Sequence, residues 1–320
     1  MKQDILNYLT HIYHQHLLNS KDAANYLKER GIKKSAKRFK LGYCTGNIGY
    51  QTLLRTYTEN QLKDTGFFKW NKDPFNYRII FPLIKGVDTL YFTSRTIGDK
   101  EPKHKHLTGP IPVPFNYNTI HNDNIIIVES PIDAITLEQA GYYAMASLGL
   151  SIKSHTAIEL QGKNIFILYD YDLHNAGQER AIDLADLLYR NKGKAHICQW
   201  PKNNRKMDVN WLYLKDKKKF QNNINILLNN SIRFEEHPAF EEKRKEKIWT
   251  PAQRGNFREL VKKYGWKIFG NNLVRIPCPF HNDSTPSLTI YLNTNSSYCF
   301  GKCKKSYSAI EIDHALQGKI

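Results

Sequence analysis

Residues 124–199 alternate short apolar runs with helical segments, and this alternation restricts the possible folds more than any other feature of the sequence. Short apolar runs are typical of strands buried on both faces, whereas an apolar period of three to four residues is typical of helices. The predicted strands are 124–128, 143–147, 164–169 and 195–199, and the predicted helices are 131–140 and 175–190. Strands and helices in this order predict a parallel sheet covered by helices.

Acidic residues directly follow two of these apolar runs. Glu129 comes immediately after 124–128, and Asp170 and Asp172 follow 164–169. Because the carboxyl ends of parallel strands meet at one edge of a sheet, where ligands bind, we expect these three carboxylates to converge. The alternative is that the acids are helix caps and surface groups. That interpretation suits an isolated Asp-x-Asp better than acids that each end a predicted strand.

Two further acids extend this group. Asp133 lies four residues after Glu129, at the start of the next predicted helix, and Asp208 follows the last predicted strand. Converging carboxylates repel one another unless cations neutralise them. Their hard oxygen atoms are the ligands that Mg²⁺ and Mn²⁺ prefer. The sequence therefore predicts a divalent-metal site of the kind that binds phosphates.

A cluster of cysteine and histidine near the C-terminus has the spacing of a zinc site. Cys278 and His281 form one short knuckle, and Cys299 and Cys303 form a second. Three thiols and one imidazole satisfy the tetrahedral preference of Zn²⁺ and leave no open position, so the metal would be structural. The alternative is a set of reduced thiols without metal. A module this small has a modest core and gains stability from a metal.

Basic residues outnumber acidic ones by 47 to 30, which gives a formal net charge of +17. The excess lies in residues 1–120 and 231–320, whereas the middle of the chain is nearly neutral. Such an excess is typical of proteins with a polyanionic partner, either nucleic acid or a membrane surface. Arg78, Arg95 and Lys103 are candidates for binding nucleotide phosphates or a nucleic-acid backbone. Ordinary surface cations are the alternative.

Missing motifs disfavour several classes of protein. No apolar run is long enough to span a bilayer, and residues 1–20 lack the apolar core of a secretory signal, so we expect a cytoplasmic protein without membrane contact. The sequence has no phosphate-binding P-loop and no dinucleotide-binding glycine motif after a strand. It also lacks the Gly-x-Ser-x-Gly turn of serine hydrolases.

Charge and pattern divide the chain into four predicted parts. The predicted fold class is α/β, with an α+β N-terminal subdomain, a parallel-sheet βαβ domain and a small zinc-ribbon domain. In the first part, residues 4–30 have helical periodicity, and a turn at Gly86 predicts an antiparallel hairpin. The parts are a basic N-terminal subdomain at 1–120, a catalytic domain at 121–230, a linker at 231–252 and a zinc-binding module at 253–320.

Six short motifs follow one another along the chain. They are Arg78-Ile-Ile-Phe-Pro, Pro102-Lys-His, Val128-Glu-Ser-Pro-Ile-Asp-Ala-Ile, Leu168-Tyr-Asp-Tyr-Asp, Cys278-Pro-Phe-His and Tyr298-Cys-Phe-Gly. The first two resemble the basic N-terminal part of the polymerase core of bacterial and phage DnaG-type DNA primases. The middle two resemble the Toprim domain of that family, and the last two resemble its zinc ribbon. The resemblance covers almost the whole chain and is specific when the motifs are taken jointly.

The resemblance implies a DNA primase, a template-dependent RNA polymerase that synthesises short RNA primers de novo on single-stranded DNA for replication by two-metal phosphoryl transfer. The implied partners are the single-stranded DNA template, ribonucleoside triphosphates and a replicative helicase on a separate polypeptide. The implied catalytic residues are Glu129, Asp170 and Asp172. Two or three Mg²⁺ or Mn²⁺ ions would be held by Glu129, Asp133, Asp170, Asp172 and Asp208. Nucleotide or nucleic acid would be bound by Arg78, Arg95 and Lys103, and one structural Zn²⁺ by Cys278, His281, Cys299 and Cys303.

The sequence departs from the family pattern in four respects, one of which is that no helicase-docking domain is expected after Ile320. The zinc module follows the catalytic core, although it usually precedes it in the family. The knuckle at Cys299 and Cys303 is one residue longer than usual, and Ser130 stands where the family usually has glycine. Two other functions remain as alternatives. One is a Toprim-type nuclease or a topoisomerase-like enzyme, and the other is a non-catalytic subunit that binds single-stranded DNA.

Overall fold

The structure of the protein is a computed structural model that describes residues 1–68, 70–99, 101–149, 152–173, 176–245, 255–270 and 272–318. Its contacts divide the chain into two units, Met1–Lys243 and Arg244–Ile320. In the described part of the chain, no helix combines the length and the apolar character that crossing a membrane requires.

The first unit begins with helices that pack on an antiparallel sheet. Strands β2 (Arg78–Lys85) and β3 (Asp88–Thr96) pair antiparallel around the turn at Gly86, so the predicted hairpin is present. Ser20 caps the second helix by accepting a hydrogen bond from the amide of Ala23 at 3.2 Å. The helices are α1 (Lys2–Leu18), α2 (Lys21–Glu29), α3 (Ile48–Leu53) and α4 (Glu59–Asp64), with 3-10 turns at Lys33–Ser35 and Tyr117–His121. The sheet has the order β1-β2-β3-β4, with β1 at Gly42–Cys44, β2 at Arg78–Lys85, β3 at Asp88–Thr96 and β4 at His104–His106.

A second sheet of the first unit has the order β6-β5-β7-β8-β9. Its first four strands pair in parallel, as predicted, and β9 adds an antiparallel edge. The strands are β5 (Asn124–Val128), β6 (Ala144–Ala146), β7 (Asn164–Ile167), β8 (Lys194–Ile197) and β9 (Ile232–Arg233). The helices are α5 (Pro131–Gln139), α6 (Ser154–Glu159), α7 (Ala176–Arg190), α8 (Val209–Lys215), α9 (Phe220–Asn229) and α10 (Phe240–Lys245), with a 3-10 turn at Phe234–Glu236.

Apolar side chains cover both faces of the parallel sheet. Because neither face is exposed to water, its strands are continuous apolar runs in the sequence. On one face, Ile125 and Ile127 pack in a core that includes Leu184 of α7. On the other face, Ile126 and Val128 pack in a core that also contains residues of α5 and α9. Each fully buried side chain of this size contributes about 1.5–3 kcal/mol relative to an exposed one. This burial fixes where each strand ends, and therefore where the acids that follow it lie.

The second unit is a small antiparallel sheet flanked by two helices. Its sheet has the order β10-β11-β12, and its core includes Phe257, Val274, Ile290 and Ile312. Ser308 caps the last helix in a reciprocal capping box with Glu311. The elements are α11 (Phe257–Tyr264), β10 (Leu273–Ile276), β11 (Leu288–Tyr291), β12 (Ser296–Cys299) and α12 (Ala309–Leu316).

The predicted fold class is confirmed, and regular structure is also present in the part of the chain that was predicted to be a linker. The described part of the predicted linker contains β9, a 3-10 turn and the buried side chain of Phe234. Asn175, the predicted first residue of the α7 helix, lies outside the described residues, as do residues 246–254 of the predicted linker and zinc module. The four-part division of the chain stays a prediction.

Candidate functional site

A cleft of about 360 Å³ lies in the first unit, at the edge of the parallel sheet where β5 and β7 end. Four of the five predicted metal-binding acids line it, together with two of the three predicted cations. These residues are Glu129, Asp133, Asp170, Asp208, Arg95 and Lys103. Arg95 belongs to β3 and Lys103 precedes β4, whereas the acids follow β5 and β7 or lie at the starts of α5 and α8, so the cleft has an acidic side and a basic side.

Glu129 directly follows β5 and is paired with an arginine from α7. The Nη2 atom of Arg180 lies 3.0 Å from Oε1 and 2.8 Å from Oε2 of Glu129, whose side chain is only 12% exposed. Burial raises the pKa of Glu129, and repulsion from Asp170 raises it further, whereas Arg180 opposes both effects. Glu129 is therefore held in place at the end of its strand as part of a crowded group of carboxylates.

Asp170 lies beyond the end of β7 and is paired with a lysine. The Nζ atom of Lys206 lies 3.0 Å from Oδ2 of Asp170. Burial raises the pKa of Asp170, and the Lys206 ammonium acts in the opposite direction. Asp208, two residues after this lysine, caps α8 by accepting a 2.6 Å hydrogen bond from the amide of Trp211.

Asp133 is the most deeply buried acid of the cleft. Its carboxylate accepts hydrogen bonds from the Ser130 hydroxyl and, at 2.8 Å, from the amide of Asn210. Burial raises the pKa of Asp133 well above its usual range, and repulsion from Asp208 and Asp170 adds to the shift. Ser130, at the position where the related motif usually has glycine, therefore caps α5 and orients this carboxylate.

Asp172 and Arg78 do not belong to the cleft lining. The Asp172 carboxylate accepts hydrogen bonds from the amides of Ala176 at 3.2 Å and Gly177 at 3.0 Å, so it binds the N-terminus of α7. Arg78 is buried, and its guanidinium donates to the backbone carbonyls of Pro102 at 2.6 Å and Lys103 at 3.2 Å. In this arrangement Arg78 supports the loop that carries Lys103.

The basic side of the cleft carries positively charged side chains and a histidine that is uncharged at pH 7. Repulsion from Arg95 lowers the pKa of Lys103, with burial as the second cause. Burial, followed by repulsion from Arg95 and Lys103, lowers the pKa of His104 to about 4, so its imidazole is neutral at pH 7. Arg30, at the end of α2, also lines the cleft. Such a surface is suited to phosphate groups.

Gly177 allows the N-terminus of α7 to approach the acids closely. A Cβ atom at this position would lie 2.1 Å from the carbonyl oxygen of Asp170 and 3.3 Å from Oε1 of Glu129. We expect Gly177→Ala to lower the free energy of unfolding by about 1–3 kcal/mol, because the backbone must move apart. Urea unfolding measures this change. Gly98→Ala is the control, since nothing lies within 4 Å of its Cβ position. Equal effects of the two substitutions would contradict the close approach.

The predicted cysteine and histidine ligands come together in the second unit. The ligand atoms of Cys278, His281, Cys299 and Cys303 all lie within 4.8 Å of one another. No other group of three or more such ligand residues in the described ranges meets this criterion. The Sγ atoms of Cys278 and Cys303 are 3.8 Å apart, and Nδ1 of His281 lies 3.2 Å from Sγ of Cys303. Three thiols and an imidazole converging on one point fit a tetrahedral zinc ion.

Asp283 and Ser287 organise the loop that carries Cys278 and His281. The Asp283 carboxylate accepts hydrogen bonds from the Cys278 amide at 2.7 Å and from the Ser287 hydroxyl at 2.6 Å. Gly301 is required beside them, because its Cβ would lie 2.5 Å from the Ser287 hydroxyl and 2.9 Å from Nε2 of His281. These contacts hold the ligand side chains in place independently of a metal ion.

Three cations of the site, Arg30, Arg180 and Lys206, were not predicted from the sequence. Arg180 lies in the helix that follows the Asp-x-Asp motif, and Lys206 lies two residues before Asp208. A cation close in sequence to each predicted acid was therefore a usable signal. It is a weak one, because residues 201–219 contain many other lysines.

Three family models match the chain in sequence order. Residues 12–115 match the DNA primase catalytic core, N-terminal domain. Residues 126–213 match a Toprim-like domain, and residues 245–318 match a CHC2 zinc finger of the DnaG zinc-ribbon type. The three domains that the motifs resemble are therefore confirmed, with the zinc ribbon last.

Curated relatives of the chain are DNA primases. The chain is 28% identical over 221 residues to the DNA primase of Helicobacter pylori strain J99, a match that covers 62% of this chain and 39% of that protein. It is 27% identical over 226 residues to the DNA primase of Synechocystis, covering 59% of this chain and 35% of that protein. The matches thus span about two fifths or less of the length of these relatives.

Solved structures share the fold. The zinc-binding and RNA polymerase domains of the Aquifex aeolicus primase are 22% identical, with a TM-score of 0.63, and the match covers 83% of this chain and 73% of that one. The E. coli primase catalytic core is 20% identical with a TM-score of 0.62, covering 83% of this chain and 90% of that one.

Proposed function

The chain belongs by its three matched domains to the DnaG-type DNA primases, and we propose that it is a template-dependent RNA polymerase that starts short RNA primers on single-stranded DNA. One observation carries the proposal. Carboxylates at the end of a parallel sheet face Arg95 and Lys103 across a single cleft. Phosphoryl transfer needs this combination, because the acids can hold metal ions and the cations can hold the phosphates that those ions also contact.

We further propose that two or three Mg²⁺ or Mn²⁺ ions bind the acids of the cleft. The donor set fits such ions, since all its atoms are hard oxygens, and burial followed by mutual repulsion raises the pKa of Glu129, Asp133 and Asp170. The proposed ligands are the four acids of the cleft, Glu129, Asp133, Asp170 and Asp208, together with Asp172, which lies outside the cleft lining at the N-terminus of α7. When bound, such ions favour deprotonation of the attacking 3′-hydroxyl and stabilise charge on the leaving pyrophosphate.

The side chains of the chain itself would orient the substrates. Arg95 and Lys103 are proposed to hold the triphosphate of a ribonucleotide. His104, which is neutral at pH 7, can add a hydrogen bond without further charge. Arg78 is proposed to act indirectly, because its guanidinium binds the backbone of residues 102–103 and thereby positions Lys103. Catalysis by such a site is mainly positioning and electrostatic stabilisation.

We propose that the second unit binds one structural zinc ion and the template strand. One face of its sheet carries Arg275, Thr289 and Tyr298 directly opposite one another. Arg275 is exposed, Tyr298 is half-buried and Thr289 between them is buried. Phe300 is 61% exposed, so its ring is open to stacking by a base. Tyr307, in contrast, is buried and stacks on Phe280 with ring centroids 3.8 Å apart. The DnaG primase catalytic domain, a structural neighbour, was solved bound to single-stranded DNA, which supports single-stranded DNA as the template but does not bear on the zinc ribbon. A separate replicative helicase as partner stays a prediction.

Primer synthesis tests the proposal. The full chain is incubated with single-stranded DNA, labelled ribonucleotides and either Mg²⁺ or Mn²⁺, beside Glu129→Gln and the control Glu179→Gln, which changes an exposed acid of α7. We expect short labelled oligomers that require template, that persist in the control and that disappear in Glu129→Gln. Degraded template would instead indicate the nuclease. Intact, bound template without product under either metal would indicate a binding subunit.

A further inference from the structure

Lys206 occupies an unusual position between the two sides of the cleft. Its ammonium group is 3.0 Å from Oδ2 of Asp170, yet its side chain is 64% exposed whereas that of Asp170 is 15% exposed. The residue also lines the cleft beside Lys103 and Arg95. Lys206 therefore forms a partly exposed ion pair, of the weak kind that an entering ion can displace, and not a fully buried pair.

The backbone beside Lys206 is fixed even though its side chain is exposed. The next residue, Met207, forms two backbone hydrogen bonds with Tyr171, at 2.9 and 3.0 Å, and Tyr171 is the residue after Asp170. Met207 is itself buried. The Lys206 ammonium is therefore carried by a flexible four-carbon side chain on a backbone that the neighbouring residue anchors beside the cleft.

The Lys206 ammonium group lies in reach of both sides of the cleft. Besides its contact with Asp170, Lys206 lines the same cleft as Glu129 and Asp208, and as the cations Arg95 and Lys103. A flexible side chain in this position can serve either the carboxylates or a phosphate bound beside Lys103.

We propose that Lys206 is an internal counter-cation that holds the place of the divalent metal at Asp170 and then binds the nucleotide phosphates once the metal has displaced it. This inference rests on the proposed function. Without metal, the ammonium neutralises Asp170 and lowers the electrostatic repulsion among the acids. With metal at Asp170, the ammonium is released on the basic side and adds a positive charge to those of Arg95 and Lys103. Metal binding thereby increases the affinity for nucleotide through a residue of the chain.

Arg180 is a useful contrast. Its guanidinium also contacts an acid, Glu129, but Arg180 is held on α7 and is not among the residues that line the cleft. We therefore assign the dual role to Lys206 alone. Arg180 is a positioning residue for Glu129.

The test measures metal binding and nucleotide binding separately. Mn²⁺ is titrated by calorimetry into the zinc-loaded full chain, without nucleotide, for the wild type, Lys206→Met and Lys206→Arg. Methionine is chosen because it has nearly the length of lysine but no oxygen that could bind the metal. Lys202→Met is the matched control, since it removes an exposed lysine from the same loop. We expect Lys206→Met to bind Mn²⁺ about threefold to tenfold more tightly, because a competing cation is gone. Lys206→Arg and Lys202→Met should stay within about twofold of the wild type.

The second measurement is the binding of a ribonucleoside triphosphate. With Mn²⁺ saturating, we expect Lys206→Met to weaken nucleotide binding by about threefold to tenfold, through loss of one charged contact. Without metal the same substitution should change it by less than about twofold, because the wild-type ammonium is then engaged by Asp170. Thermodynamic linkage between the two ligands gives a third expected result. With nucleotide already bound, the Mn²⁺ affinities of the wild type and Lys206→Met should be nearly equal. The variant gains Mn²⁺ affinity because the competing cation is gone, and it loses a similar amount because its bound nucleotide couples less strongly to the metal.

The outcomes separate this inference from the proposed function. Mn²⁺ binding that disappears in Asp170→Asn but is unchanged or weaker in Lys206→Met overturns the role of Lys206 and leaves the metal site intact. Nucleotide binding that weakens equally with and without metal also overturns it, because Lys206 would then be an ordinary phosphate ligand. A wild type without any Asp170-dependent Mn²⁺ binding overturns both the inference and the proposed metal site.

Discussion

Replacing Asp170 by Asn is expected to lower the rate of template-dependent primer synthesis by about a thousandfold or more. The substitution keeps the size of the side chain and removes one negative charge from the acids of the cleft. Loss of a single oriented group that stabilises charge in a transition state already costs about a hundredfold to a thousandfold. An acid that binds a metal serving both nucleophile and leaving group should cost at least as much.

The same substitution should leave the folded state almost unchanged. Asp170 is buried among other carboxylates, and this burial raises its pKa. Its contact with Lys206, whose side chain is largely exposed, contributes about 0–1 kcal/mol. Loss of that contact is offset by relief of repulsion from Glu129 and Asp208. We therefore expect the free energy of unfolding, measured by urea without divalent metal, to change by less than about 1 kcal/mol.

Asp123→Asn is the matched control for this prediction. Asp123 is exposed and precedes β5, at the opposite end of the same sheet. The control substitution removes the same charge and introduces the same amide, but far from the cleft. The rate of primer synthesis of Asp123→Asn should therefore stay within about twofold of the wild type. A variant with Asp170→Asn that retains more than a tenth of the wild-type rate would contradict a role for this carboxylate in binding the catalytic metals.

The strands that position the acids were predictable because they are buried on both faces. Asn124–Val128 is a strand with the predicted bounds, since every residue after Asn124 is buried and the run is apolar throughout. Glu129 then marks the point where the strand leaves the core. Its position at the edge of the sheet follows from the parallel pairing of β5 with β7, which the order of strands and helices already indicated.

The partners of the acids were not predictable in the same way. Arg180 is 51 residues from Glu129, and Lys206 is 36 residues from Asp170, so the pairs themselves leave no local pattern in the sequence. The weak signal was only that each cation lies near a different predicted acid, which does not identify its partner. The burial of Arg78 was not predictable either. Arg78 lies in β2, and its guanidinium contacts the backbone of residues 102–103. That contact depends on how β2 pairs with β3 and on the loop that follows β3. Strand β9 was missed because two paired residues give no readable period.

Replacing Cys278 by Ser is expected to abolish zinc binding and to unfold the second unit. The unit has a small core, so its folding depends on what the four ligands contribute when they bind metal. Structural zinc in comparable peptides contributes about 10–16 kcal/mol of apparent free energy at pH 7. A serine hydroxyl is a poor substitute for a thiolate, and the remaining three ligands would leave one position of the tetrahedron open.

Zinc content and limited proteolysis measure this outcome. The wild type should contain one zinc per chain, and Cys278→Ser should contain much less and be cut within residues 255–318. Cys198→Ser is the control for the zinc measurement. Cys198 is a buried cysteine of the first unit that does not belong to the cluster, so its loss should leave the zinc content at one. Strand-paired residues of the first unit should remain resistant to protease in both variants.

Comparing priming with the extension of a supplied primer in Cys278→Ser distinguishes two roles for the zinc ribbon. If the second unit selects the template, Cys278→Ser should lose priming on single-stranded DNA, whereas extension of a supplied primer should be less affected, since the acids and cations of the cleft all belong to the first unit. Equal loss of both reactions would mean that the second unit is needed for catalysis itself. Full zinc content and unchanged protease resistance in Cys278→Ser would contradict the assignment of the ligands, because Cys278 is the first of the four residues that converge in this cluster.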